Sequence, residues 1–447
     1  MTAVAILIPG IMGSVLKLGD EVIWPGPLCS LWLPFARMTD LLREDLVATD
    51  CIRRYALSVQ YQSLIDWLAP LGFSETDGTL VVAAYDWRRD NLISAVTLAG
   101  HIEDAVARHG NDVEITLLAH SMGGMVARAY LESGAFDGRS GFGRVRRLFM
   151  LGTPHRGAAV TLGVVLGHAR QLFLRPDQVL QAASDPRYPA AYQLLPPAGE
   201  AFAWDGNAEG AFEPIDIYDP ATACRLGLVA ANLNAARQFH ARLDAARRPP
   251  QVRYFCFAGT RLPTASHVLL RPRSRDELCP DPIEEEDGGD GTVATWSSSL
   301  DGVQRQFVSG AHKTLYQASD LLDTLAALLG KPGLTARLAS TIEIAVHDHV
   351  VAPGEAVRTV IAFGRDVQNF SGTLIVERAI LDPTSGTAIA FDPPLTLAPI
   401  AYHGGAGLAS MSLRLTAPLQ PGAYRVYLNS DTDGAASAHG ELIVQQP

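Results

Sequence analysis

The stretch VEITLLAHSMGGMVARAY, Val113 to Tyr130, decides the fold. Ile115, Leu117, Leu118 and Ala119, broken only by Thr116, read as a buried strand, and from Met122 onward the chain reads as a helix whose start is packed with glycine. Ser121 stands between them. A serine on a sharp strand-to-helix turn has its hydroxyl pushed out of the backbone path, and the turn accepts only small residues two places to either side. Ala119 and Gly123 meet that demand, although the usual pattern opens with glycine. The start of the following helix also presents free N–H groups where an oxyanion would form. Ser121 is therefore the candidate nucleophile, and the backbone N–H of Met122 a candidate oxyanion donor.

Upstream, AVAILIPGIMGS (Ala3 to Ser14) is a buried strand that ends in a Pro-Gly turn. In a parallel sheet such a turn lies at the carboxyl edge, where ligands bind, so the N–H of Ile11 is the second candidate donor. The apolar segment Trp24 to Phe35 admits two readings: a cover packed on the core, or a membrane-touching or substrate-gating flap presenting Trp24, Trp32 and Phe35. Thr79 to Tyr85 is a further strand running into the polar cluster DWRRDN; Leu92 to His109 is a helix; Arg144 to Leu151 is a strand ending in GTPHRG. This alternation implies a mostly parallel sheet with helices on both faces. It stops between Ala158 and about Arg248, where helical stretches such as Leu226 to Ala246 and Pro-rich loops suggest a cap inserted over the site. Strands resume at Val252 to Ala258 and, after a long loop, at Val303 to Ser309, followed by a helix from Leu315 to Leu329.

A serine nucleophile needs an imidazole base and a carboxylate to hold its tautomer, and in this fold acid and histidine follow the serine on late loops. His312 lies just past the last strand and Asp290 sits in GGDGTV, with Asp281, Asp287 and Asp301 as alternative acids. The run Glu284 to Asp287 reads as a solvated loop. His120 adjoins the serine with its side chain directed away, and His155 belongs to another strand end.

The motifs IPGIMGS, YDWRRD, AHSMGG, LGTPHRG, DGGDGTV and AHK together resemble the lecithin:cholesterol acyltransferase family, which includes lysosomal phospholipase, over residues 3 to 330. The resemblance implies an α/β-hydrolase fold with a cap and a mobile lid, acting on acyl esters of lipids. Ser121 is then nucleophile, Asp290 acid and His312 base, with Ile11 and Met122 as oxyanion donors and no metal or cofactor. The chain departs from the pattern in lacking a signal peptide and in carrying an extra C-terminal segment. Cys29 and Cys51 flank the apolar loop as the lid disulfide does in secreted members, although a cytosolic protein would keep them reduced.

After the linker Gly330 to Gly333, TIEIAV, RTVIAF, GTLIVERAIL, SMSLRLTA, YRVYLN and ELIVQ alternate with Pro and Gly turns, which reads as an immunoglobulin-like β-sandwich. The expected organisation is hydrolase core at 1–157 and 251–332, cap insertion at 158–250 and sandwich at 338–447. A net charge of −11 without basic runs argues against nucleic acid. Five scattered cysteines give neither a disulfide framework nor a metal site. No purely apolar run reaches about 18 residues, and the first strand follows the start directly, so the expected location is cytoplasmic, with peripheral membrane contact in reach. The reading is thus a lipid acyl-ester hydrolase or acyltransferase. Two alternatives stand beside it: an effector activated by a protein partner bound through the sandwich, and a general esterase on small soluble esters.

Overall fold

The structure is a computed structural model and describes residues 2–26, 35–55, 57–207, 213–274, 277–331, 342–347, 349–382, 387–431 and 439–446. Six parallel strands form the central sheet: β1 (Ala3–Ile8), β2 (Leu80–Val82), β3 (Glu114–His120), β4 (Val145–Leu151), β5 (Arg253–Thr260) and β6 (Gln304–Ser309), in the order β6-β5-β4-β3-β1-β2. Their side chains alternate between two cores, as strands covered on both faces must. Val4, Ile6, Ile8, Ile115, Leu117, Leu148 and Met150 enter the core built with helices α1 (Asn91–His109) and α2 (Met122–Glu132). Ala5, Leu7, Leu118, Phe149, Leu151 and Phe257 enter the other. This is the α/β-hydrolase architecture.

Two carboxyl-edge elements differ from the reading above. The expected long loop after β5 is a hairpin of Leu262–Ser274 and Glu277–Gly289. Its acidic run, Glu284 to Asp287, lies on the exposed second strand, where charge protects a sheet edge. The hairpin joins the cap through Val268, Leu270 and Leu278, which share a core with Leu162, Tyr192, Phe202 and Leu233. Within the cap, the helix read over Leu226 to Ala246 runs over Ala230–Arg242; Leu226 ends a preceding helix, Pro220–Leu226, which Gly227 terminates with a φ of 76°. The polar cluster after β2 is a structural tie: Arg88 pairs with Asp86 at 2.7 Å, donates to the carbonyl of Arg43 at 2.8 Å and lies under the Tyr188 ring.

The C-terminal residues form an antiparallel domain compatible with a sandwich: β7 (Ile342–Val346), β8 (Ala356–Leu381), β9 (Thr396–Thr416), β10 (Gly422–Ser430) and β11 (Gly440–Val444). The segments RTVIAF and GTLIVERAIL, read as two strands, are one. A bulge in its pairing with β9 near Val367 shifts the inward set from Val357, Ile361 and Phe363 to Phe370, Leu374 and Val376. The linker at residues 332–341 lies outside the described residues.

This domain sits directly on the hydrolase. Val360 and Ala362 pack with Leu262, Ala345 and Ala311. Arg358 pairs with Glu284 at 2.8 Å, Arg261 with Asp366 at 2.8 Å, and Lys313 reaches His349 at 2.9 Å. Burial raises the carboxyls of Glu343 to about 7 and Glu441 to about 8, and it holds His349 well below its ordinary value, helped by the Lys313 charge.

Two predictions follow from this packing. At the back of α2, Glu132 is fully buried between Arg128 at 2.8 Å and Arg248 at 3.4 Å. Removing one partner strands a buried charge, so Glu132→Ala should lower the unfolding free energy by about 3–5 kcal/mol in urea titrations; a change below about 1 kcal/mol would contradict this. For pH, the folded protein keeps protons on Glu343 and Glu441 that the unfolded chain has released, so stability falls as pH rises towards their folded values. His349 acts in the opposite sense only below about 6.5. The melting temperature should therefore drop between about pH 6.5 and 8, and Glu343→Gln with Glu441→Gln should flatten that slope. A wild-type slope unchanged by the double substitution would refute the assignment.

Candidate active site

The site grows from the turn between β3 and α2. Ser121 has φ 53° and ψ −126°, a strained backbone held by the strand behind and the helix ahead. Glycine at 123 is obligatory, since a Cβ there would lie 2.5 Å from the carbonyl oxygen of Ile8 and 2.6 Å from that of Pro9. That contact sets α2 tight against the end of β1 and brings the Pro9-Gly10-Ile11 turn beside the serine. A Cβ on Gly10 would meet the Ser121 Cβ at 2.8 Å.

His312 follows β6, and its Nε2 lies 2.8 Å from Ser121 Oγ. Its Nδ1 lies 2.7 Å from Asp290 Oδ2. Asp290 is buried, and its other oxygen accepts from the N–H groups of Val293 at 2.7 Å and Thr292 at 3.0 Å. These donors fix the carboxyl group, and with Nδ1 engaged by Oδ2 the ring turns Nε2 towards the serine to accept its proton. The acid fits because β5 carries glycine just before its end: a Cβ on Gly259 would lie 2.4 Å from the Asp290 Cβ. The structure thus brings Ser121, His312 and Asp290 into one hydrogen-bonded line; Met122 follows the serine directly, and Ile11 follows Gly10, whose backbone lies against that serine. The alternative acids stand apart: Asp281 pairs with Arg271 at 2.9 Å, and Asp287 and Asp301 carry no contact to His312.

Other expected residues lie elsewhere. Trp24 and Phe35, expected at the substrate or lid, are core side chains packed edge to face at 5.8 Å, and Trp24 also packs on Trp87. Their burial is explained by the hairpin of Ser14–Leu18 and Glu21–Trp24, which places Trp24 against Leu16. Trp32 and Cys29 lie outside the described residues; Cys51 is a buried free thiol. His155 is buried against Cys256 at 3.6 Å. Among the described residues, no group of three or more His, Cys, Asp or Glu could hold a metal ion, and no helix is long and apolar enough to cross a membrane.

A second hydrogen-bonded line escapes the sequence. His120 faces away from the serine, as strand alternation requires, and enters the core that holds Tyr61 and Tyr316. The N–H of Gly10 donates to Tyr61 Oη at 2.8 Å, Tyr61 lies 2.8 Å from His120 Nδ1, and His120 Nε2 lies 2.8 Å from the carbonyl oxygen of His312. A carbonyl only accepts, so Nε2 carries the proton and Tyr61 donates to Nδ1. Burial, with the neighbouring His312, lowers the His120 pKa to about 3, which keeps the ring neutral and the pattern single-valued. One buried relay therefore ties the Gly10 turn to the loop bearing His312.

These are the parts of an ester-acting α/β-hydrolase, and comparison with known proteins agrees. Residues 45–220 match the lecithin:cholesterol acyltransferase family model. The resemblance carried by the motifs is thereby borne out. No curated protein matches the chain. Among solved structures, a chain of the Tle4–Tli4 complex shares 15% identity at a TM-score of 0.51, covering 75% of this chain and all of that one. The lin2722 product of Listeria innocua shares 12% at 0.30, covering 74% of this chain and 95% of its own. Phospholipase PlaB of Legionella pneumophila shares 10% at 0.24, covering 99% and 89%. The first of these shows a common fold.

The relay yields a prediction. Tyr61→Phe leaves the Gly10 N–H and His120 Nδ1 buried without partners, which should cost about 1–3 kcal/mol of stability in urea titrations. A neutral substitution would show that the relay does not hold the two loops.

Proposed function

We propose that the protein is a serine hydrolase acting on acyl esters of lipids, of phospholipase A or lipid acyltransferase type. The observation that carries this reading is the line from Asp290 through His312 to Ser121, set in a chain whose residues 45–220 match a lipid acyltransferase family model. His312 Nε2 takes the Ser121 proton as the hydroxyl attacks the ester carbonyl. Asp290 holds the imidazole in the required tautomer and stabilises the imidazolium. The N–H groups of Ile11 and Met122 receive the oxyanion. His312 then returns the proton to the leaving alcohol, and water or an acceptor alcohol, deprotonated by the same imidazole, releases the acyl group from Ser121. Proton and acyl accounts close without a further reactant.

The cap and its hairpin share one core, and in this reading they cover a substrate site at the carboxyl edge of the sheet. Ser121 is only 5% exposed, which fits a substrate admitted by movement of this cover. Tle4 was solved in a complex with Tli4, and a protein partner for this chain is the reading to which silence in the assay below would point.

Wild-type protein should release fatty acid from mixed phospholipid vesicles, and Ser121→Ala should lower the rate by about 10⁴-fold or more. A short-chain soluble ester run in parallel discriminates the substrate class. Cleavage of that ester alone would reduce the reading to a general esterase, and release undiminished in Ser121→Ala would remove the serine mechanism.

A further inference from the structure

The loop Gly310-Ala311-His312 is short, exposed to two domains and responsible for the position of the base. Beyond the local turn that the Thr314 N–H closes on the Ala311 carbonyl at 2.9 Å, its backbone has three anchors from other elements. The His312 N–H donates to the carbonyl of Asp290 at 2.8 Å, and the His312 carbonyl accepts from His120 at 2.8 Å. Both come from the hydrolase. The third, on the Ala311 N–H, is Glu343 Oε2 at 3.1 Å, from the C-terminal domain.

Glu343 sits in β7, where alternation separates two faces. Ile342 and Ile344 enter the core of the C-terminal domain. Glu343 and Ala345 face the hydrolase, with Ala345 packed among Ala311, Leu262, Val360 and Ala362. A carboxyl group beside an apolar contact is unfavourable for docking alone, since its desolvation is uncompensated except by the bond it accepts. The carboxyl group is also shaped to the loop: a Cβ on Gly310 would lie 3.3 Å and 3.5 Å from its two oxygens. Next along the loop, Lys313 meets His349 at 2.9 Å, so the C-terminal domain grips the residues on both sides of the base.

We infer that Glu343 is a positioning residue for His312, and that the C-terminal domain completes the hydrolase by fixing the loop that carries its base. The inference rests on the serine-hydrolase reading above and adds to it the source of the base's alignment. Without the third anchor the Ala311 peptide is free to rotate, and His312 Nε2 leaves hydrogen-bond reach of Ser121 for part of the time. A displacement of about 1 Å at such a contact is enough to slow the chemistry by up to about a hundredfold.

The test uses the full chain and two readouts that need no knowledge of the substrate: labelling of Ser121 by a fluorophosphonate, and amide hydrogen exchange of the peptide spanning residues 310–317. Glu343→Ala should label at least about tenfold more slowly than wild type well below its melting temperature, with faster exchange in that peptide. Glu343→Gln retains an acceptor oxygen and should restore labelling to within about twofold, a rescue that a purely adhesive role would not require. A folded Glu343→Ala that labels as fast as wild type, whatever its melting temperature, overturns the inference while leaving the serine-hydrolase reading intact. So does a Glu343→Gln as slow as Glu343→Ala. A wild-type protein that does not label overturns the serine-hydrolase reading and the inference with it.

Discussion

The backbone of Ser121 is the constraint on which the rest depends. A non-glycine residue at φ 53° persists only when its surroundings determine it. Here β3 ends on one side, α2 starts on the other, and Gly123 allows the helix to press against the end of β1. The strain is supported by a sheet whose strands are buried on both faces and by an ion pair buried at the far end of the same helix. With the serine fixed, three separate loops must meet it: the Gly10 turn after β1, the Asp290 turn after the hairpin, and the His312 loop after β6. Each is tied to another by buried hydrogen bonds. Tyr61 and His120 join the first to the third, and the His312 N–H joins the third to the second. The arrangement is therefore one connected network rather than a set of residues that happen to be close.

Much of this was legible in the sequence, and the reason is period. Ala3 to Ile8 is a continuous apolar run and Ile115 to Ala119 one broken only by Thr116, because both their faces are covered, and Asn91 to His109 is a helix whose apolar face recurs at helical spacing. The residues of the site could be named because they stand at the ends of such strands, in chain order. The turn chemistry of Gly259 and Gly289 to Gly291 explains why Asp290 sits where it does, although only the structure shows how closely the backbone approaches it.

What escaped the sequence is tertiary. The hairpin from Leu262 to Gly289 carries Pro280, Pro282 and four consecutive acids, residues that mark loops when read alone and that an exposed edge strand tolerates. The long strand Ala356–Leu381 reads as two because a bulge reverses its inward face midway. For Trp24 and Phe35 the sequence leaves a core cover and an exposed flap both open, and only the structure shows them buried, as the cover reading has it. Strand alternation does direct His120 away from the serine, yet nothing in the chain announces that Tyr61, fifty-nine residues earlier, waits there. Glu343 is the same case across a domain boundary: its parity in β7 places it outside the domain core, and only docking reveals the Ala311 amide as its partner.

The central claim is that Ser121 carries the acyl group during turnover, and the most direct measurement is mass mapping of the protein acid-quenched within its first turnovers on phospholipid. The account predicts an acyl adduct on the tryptic peptide from His109 to Arg128, localised to Ser121, that builds up before steady state and is lost when the reaction is allowed to finish. Turnover with no adduct on that peptide, or an adduct on another residue, would contradict it.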